Sequence, residues 1–349
     1  MITLPGLIDP HVHPRGLPTD DYKEDFFTCT SAALAGGFTS IFDMPNNPKT
    51  PTLTANLLFE KQTIAQKQIV CDVGFFFGTN GQNLDEFPKI TKNCKGLKVF
   101  LNPSTGNLNI DLQAFSEVCK HWTAELPILL HAEEDLILPA LEIAHKSGRR
   151  IHVCHVSSEK ELRQILDAKD EGYKVTCAVT PHYLFLTEND LKQNSLLSVK
   201  PPLKSQKDVN FLWQNISKID AIESDHAPHI LDEKKSDNPS LGLPGIETTL
   251  PLLLTAVSQN KLTMDDVKRL CHDNPAKIFN VQTDPETKIE IDENEEWTIE
   301  NDKLFTKSKW SPFNGWKVKG KVKRVFIRGT KVFENDKILA EPGFGKILS

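Results

Sequence analysis

Eight short apolar runs rich in β-forming residues recur along the chain, at residues 6–13, 39–46, 69–78, 96–102, 127–133, 150–157, 174–182 and 221–229. Between them lie segments of helical period, at about residues 22–35, 52–67, 111–124, 135–147, 158–171 and 207–217. Strand–helix alternation makes successive strands parallel, because each helix carries the chain back across a sheet face. Eight such units in roughly 270 residues predict an α/β fold, a closed (β/α)8 TIM-like barrel. Helices expected at about 247–259 and 263–271 complete it, the second with a capped start at Thr263.

From about Asn280 the pattern changes to short alternating strands, including residues 296–299 and 322–328, with turn signals at Asn314-Gly315 and Arg328-Gly329. The expected organisation is therefore a barrel over residues 1–280 and a small β-rich C-terminal extension over 281–349. The charged stretch 284–296 reads as a solvated turn. The first barrel strand starts so near Met1 that no strand is expected before it, and the chain reads as a domain of a longer polypeptide.

A net charge of -6, with acids and bases interspersed, gives no basic stripe for nucleic acid and no polybasic segment for a lipid surface. No apolar stretch has the length of a membrane span, and residues 1–10 lack a secretory pattern. A cytoplasmic location and a small-molecule substrate are the expectation. The seven cysteines are scattered and odd in number, which fits reduced thiols.

In such a barrel the catalytic groups sit at the carboxyl ends of the strands. Here those ends are polar: His11-Val12-His13 on the first, Lys98 on the fourth, His131 on the fifth, His155 on the sixth and Asp225 on the eighth. Residues two apart on a strand face the same side, so His11 and His13 can converge on one ion. Alone, His-x-His is more simply a pair of structural histidines. Three further ligand-type residues at equivalent strand ends reverse that reading, because imidazoles with a carboxylate suit Zn²⁺. Lys98, between Leu97 and Val99, would bury a charge at considerable cost. Either its amine reaches the barrel mouth or pairs with an acid such as Asp225, or it has reacted with carbon dioxide to form a carbamate that bridges two zinc ions. The surrounding histidines favour the carbamate. An additional metal site at Cys154 is disfavoured, since strand alternation points it away from His155 and no acid stands at Cys177 or Ala178.

The ordered set Pro5-Gly6-Leu7-Ile8-Asp9-Pro10-His11-Val12-His13, Met44-Pro45-Asn46, Gly96-Leu97-Lys98, His131-Ala132-Glu133, Cys154-His155-Val156, Pro181-His182 and Ser224-Asp225-His226-Ala227-Pro228-His229 resembles the dihydroorotases of the amidohydrolase superfamily. The match covers most of the chain. It is most similar to the dihydroorotase domain of the multifunctional protein that also carries carbamoyl-phosphate synthetase and aspartate transcarbamoylase. The resemblance implies two zinc ions, one held by His11, His13, Lys98 and Asp225, the other by Lys98, His131 and His155, bridged by carboxylated Lys98 and hydroxide. It implies that Arg15 and Asn46, helped by His229, bind the substrate carboxylate. Backbone groups of the loop from Leu241 to Gly245 would meet the ring amide, the loop carrying Ser104 would cover the substrate, and Lys200 would stand where close relatives have an arginine. Asp225 would be the general base and acid in the cyclisation of N-carbamoyl-L-aspartate to L-dihydroorotate. A homodimer and linkage to other pyrimidine-synthesis domains are likewise implied. Family members often continue the first motif as His-x-His-x-Arg-Glu-Pro-Gly, whereas here Gly16 follows Arg15. The rival readings are a hydantoinase, dihydropyrimidinase or allantoinase with the same ligands, and a catalytically dead scaffold domain.

Overall fold

A computed structural model describes all 349 residues. Each apolar run forms a strand: β2 (Leu7–Val12), β3 (Phe38–Asp43), β4 (Asp72–Phe75) with β5 (Phe77–Gly78), β6 (Leu97–Phe100), β7 (Ile128–His131), β8 (Ile151–Val153), β9 (Val175–Val179) and β10 (Ala221–Ile222). All neighbours in this series pair in parallel. Phe76 interrupts the third strand, so β4 pairs with β3 while β5 pairs with β6. A parallel bridge between Val12 and His226 joins the last strand's exit to the first and closes the barrel.

The strands are buried on both faces, which is why they read as continuous apolar runs. Helices cover the outside, including Phe26–Ala35, Ala55–Gln66, Leu112–His121, Ile137–Lys146 and Glu159–Asp170. Several begin with caps legible in the sequence: Asp25 bonds the Thr28 amide and Ser158 the Glu161 amide, satisfying first-turn donors that have no partner within the helix. Inside the barrel, Phe42, Phe76 and Phe279 pack with ring centroids 5.3–5.7 Å apart. Phe279 also meets His152, so apolar packing fills the interior next to the polar cluster.

A second, antiparallel sheet runs in the order β1 (Ile2–Pro5), β11 (Lys288–Thr298), β12 (Lys317–Ile327), β13 (Thr330–Glu334) and β14 (Lys337–Ile338). A strand therefore does precede the barrel, against expectation; Ile2–Pro5 is short enough to fit before Gly6 and pairs with the tail instead of the barrel. The charged stretch is likewise mostly strand, because Ile289 and Ile291 are buried while Lys288, Glu290 and Asp292 alternate with them and are only half-buried. Between β12 and β13, Arg328 and Gly329 both take positive φ, the geometry of a tight hairpin turn. At the far end β15 (Ile347–Leu348) pairs in parallel with β4. No helix is long and apolar enough to cross a membrane.

Candidate active site

The strand ends converge on a cavity of about 360 Å³. His11 lies within β2, His13 just beyond it, His131 closes β7, and His155 and Asp225 follow β8 and β10. One Asp225 oxygen lies 3.3 Å from His11 Nε2 and 3.0 Å from His13 Nε2, while His131 Nδ1 lies 3.0 Å from His155 Nε2. Ring centroids are 5.3 Å apart for His11 and His13, 5.2 Å for His11 and His155, and 4.7 Å for His131 and His155. Four buried imidazoles and a carboxylate thus occupy one cluster. His155 and Asp225 have φ of 37° and 44°, a left-handed backbone that side chains other than glycine adopt at a cost and that tends to gather where function demands it.

These residues fit a metal ion. His11, His13 and Asp225 present ligand atoms all within 4.8 Å of one another. His131 Nε2 and His155 Nδ1 are buried without hydrogen-bond partners. Burial lowers the pKa of His131 and His155, and brings His13 down to about 3, so these rings are neutral and carry lone pairs at neutral pH. His11 differs: burial disfavours its proton, but Glu223 and Asp225 outweigh burial and push it up to about 10. A bound cation would compete with that proton for the same carboxylates. Burial would raise the Asp225 pKa, yet the His11 and His13 imidazoles hold it well below the usual carboxylate range.

Lys98 is fully buried in β6 and makes no ion pair; its Nζ donates to Cys154 Sγ at 3.1 Å and lies 4.9 Å from the Phe100 ring centroid. It neither snorkels to the mouth nor pairs with Asp225. Cys154 also corrects the alternation argument. Because β8 ends at Val153 and His155 turns left-handed, Cys154 and His155 both join the cluster, and His11, Cys154 and Glu223 form a second group with ligand atoms within 4.8 Å.

The remaining expected residues line the same cavity: Arg15, Asn46, Ser104, Lys200, His229 and Leu241. Arg15 is buried without an ion pair; its one side-chain partner is His229 Nε2 at 3.3 Å, and its Nε has none. Arg15 can only donate, so His229 Nε2 accepts and the ring hydrogen sits on Nδ1, 3.0 Å from Glu233 and 3.3 Å from Lys23 Nζ. The Asn46 side-chain oxygen is buried and unpartnered. Lys200 pairs with Glu133 at 3.1 Å, and Leu241 is exposed. Asn47 donates to the Arg15 carbonyl at 2.5 Å and itself accepts from the buried Lys61, which ties down the left-handed backbone at Arg15.

Sequence reasoning missed three site residues. Lys23, on the loop after β2, lines the cavity and pairs with Glu233 at 2.8 Å. Glu133 neutralises Lys200. Glu223 lies under the imidazoles, 3.1 Å from His11 Nδ1. The sole hint of Glu223 in the sequence is an acid placed directly after the apolar Ala221-Ile222 pair, two residues before Asp225.

Residues 2–332 match the amidohydrolase family. The chain belongs to the amidohydrolase family. Among its relatives, the multifunctional protein CAD of Squalus acanthias is 43% identical over 99% of this chain, which spans only 16% of that protein's length. A dihydroorotase of Pyrococcus furiosus is 37% identical over 99% of this chain and 85% of its own. An L-hydantoinase (dihydropyrimidinase) from Arthrobacter aurescens superposes with a TM-score of 0.93 at 25% identity, covering 99% of this chain and 88% of that one. The inactive dihydroorotase-like domain of the Chaetomium thermophilum CAD-like multifunctional protein superposes with a TM-score of 0.86 at 27% identity, covering 100% and 99%. As an amidohydrolase, this chain has the barrel, the strand-end polar cluster and the appended sheet in one continuous sequence.

Proposed function

We propose that this chain is a dihydroorotase, which interconverts N-carbamoyl-L-aspartate and L-dihydroorotate. The observation that carries the reading is Arg15: a buried guanidinium facing the cavity, with no carboxylate of its own, beside a metal-binding cluster. A buried charge without a partner is costly, and a substrate carboxylate would repay that cost through a two-pronged charged hydrogen bond. Full-length likeness to a dihydroorotase supports the same substrate.

His11, His13, Lys98 and Asp225 would hold one zinc ion and Lys98, His131 and His155 a second, with Lys98 carboxylated; bound there, zinc would make hydroxide available at neutral pH and polarise the ring carbonyl. Carboxylation gives Lys98 a reason to be buried among imidazoles, since it converts an unpaired cation into an anion. Arg15, Asn46 and His229 hold the carboxylate on the ring carbon, which fixes the face of the cyclic amide that meets water. Asp225 takes the proton of the attacking water and returns it to the ring nitrogen as the C–N bond breaks. Its lowered pKa keeps it ionised at neutral pH. Leu241 and Ser104 line the cavity; backbone groups of the 241–245 loop would meet the ring amide, and the loop carrying Ser104 would cover the substrate.

Ring opening creates a new carboxylate and releases a proton near neutrality, so acid favours cyclisation and alkali favours hydrolysis. Offering L-dihydroorotate, hydantoin and dihydrouracil to the zinc-loaded protein tests the substrate class. Preferential opening of L-dihydroorotate supports the proposal. Preference for hydantoin or dihydrouracil, which lack the carboxylate, would move the assignment to the hydantoinases, whose fold this chain shares. A scaffold role alone fits poorly, because every expected ligand is present in the cavity or directly under it. Cytosolic residence, a homodimer and linkage to further pyrimidine-synthesis domains complete the proposal; the likeness to CAD supports the linkage.

A further inference from the structure

Glu223 has no part in the chemistry described above, yet it is fully buried at the centre of the cluster. Its Oε1 lies 3.1 Å from His11 Nδ1 and accepts the His155 backbone N–H at 2.6 Å. Its Oε2 has no hydrogen-bond donor and lies 3.8 Å from His152 Nε2. A single carboxylate oxygen therefore touches the ring of one expected ligand and the backbone of another, from strands on different parts of the barrel wall.

We propose that Glu223 is a positioning residue for the metal site, which sets the tautomer of His11 and pins the left-handed turn at His155. A carboxylate only accepts, so the hydrogen between it and His11 sits on Nδ1. In the neutral ring that leaves Nε2 as the lone pair, directed toward Asp225. At His155 the same oxygen takes the amide of a residue with φ of 37°, which otherwise has no strand partner to hold it. Asp9 braces the neighbouring seam by accepting the His11 and Ser224 amides, but it touches no imidazole nitrogen. The inference rests on the metal-dependent reading of the site. The competing role is direct ligation, since His11, Cys154 and Glu223 are close enough to hold an ion themselves.

Zinc titration of the metal-free full chain by calorimetry, with the ions bound per chain counted, tests this in Glu223→Gln and Glu223→Ala. Glutamine keeps an oxygen for the His155 amide but loses the charge that holds the His11 proton. Zinc affinity is expected to fall about 10- to 100-fold in Glu223→Gln and further in Glu223→Ala, with the number of ions and the KM of the saturated enzyme unchanged. Melting of the metal-free proteins checks folding, and Glu223→Gln alone carries the test if the alanine variant unfolds. Unchanged zinc affinity overturns the positioning role, and so does the loss of one ion per chain, which would make Glu223 a ligand. A wild-type protein that binds no zinc overturns both this inference and the metal-dependent function; bound zinc with unaffected variants overturns this inference alone.

Discussion

Arg15, Lys98 and Asp225 each carry a separable part of the account. Arg15→Met would remove the proposed charged contact to the substrate carboxylate but no proposed metal ligand. KM for L-dihydroorotate should rise about 10- to 100-fold, the equivalent of roughly 1.5–3 kcal/mol for a hydrogen bond to a charged group, with zinc content unchanged. An unchanged KM would remove the main reason to prefer this substrate over hydantoins. Asp225→Asn should lower kcat by about 10²- to 10⁴-fold, since proton transfer is lost; near-normal turnover with zinc bound would contradict the base assignment. Lys98→Ala should lose both zinc and turnover, and mass spectrometry of the native protein under mild conditions should find one added carbon dioxide on Lys98. An unmodified Lys98 in an active enzyme would leave its burial without this explanation.

At the scale of elements, the eight strands and their flanking helices were legible because burial on both faces writes a strand as an unbroken apolar run. The polar residues at the strand ends were legible for the same reason, standing out against that background. What escaped the sequence was geometry that depends on where a strand stops. Strict alternation placed Cys154 opposite His155, but β8 ends at Val153 and the following residues turn both side chains into the cluster. Ile2–Pro5 escaped because its partner, Lys288–Thr298, is nearly the whole chain away. Glu223 and Lys23 escaped because no local spacing links them to the residues they serve. The appended segment has a role that only the structure reveals: Trp310 donates to the His229 carbonyl at 2.7 Å, and Glu24 links the Thr306 hydroxyl and Lys307 amide to His226, 3.3 Å away. Trp310→Phe keeps the ring but drops the hydrogen bond. It should cost about 1 kcal/mol of stability and raise KM several-fold by loosening His229, as urea unfolding and steady-state kinetics would register. A change in neither would make this contact incidental.

For the whole molecule, neutral buried histidines set the response to acid. Burial brings His182 down to about 4 from an ordinary 6.5, and its Nε2 has no partner. The unfolded chain therefore takes up this proton first as pH falls, so stability is full above 6.5 and is lost between 6.5 and 4. The expected loss from His182 is roughly 3 kcal/mol at about 1.4 kcal/mol per unit. Urea unfolding of the metal-free protein at pH 7 and pH 5 should show the decline, and His182→Asn should flatten it; the same slope in that variant would assign the effect elsewhere. Metal binding should weaken over the acid range too, because protons and zinc compete for the same imidazoles. The most direct test of the central claim is turnover in both directions by one zinc-loaded preparation, hydrolysis of L-dihydroorotate at alkaline pH and cyclisation of N-carbamoyl-L-aspartate at acid pH. A dihydroorotase catalyses both, with the balance shifting toward the ring as pH falls. Zinc bound at the strand ends with neither compound turned over would contradict it.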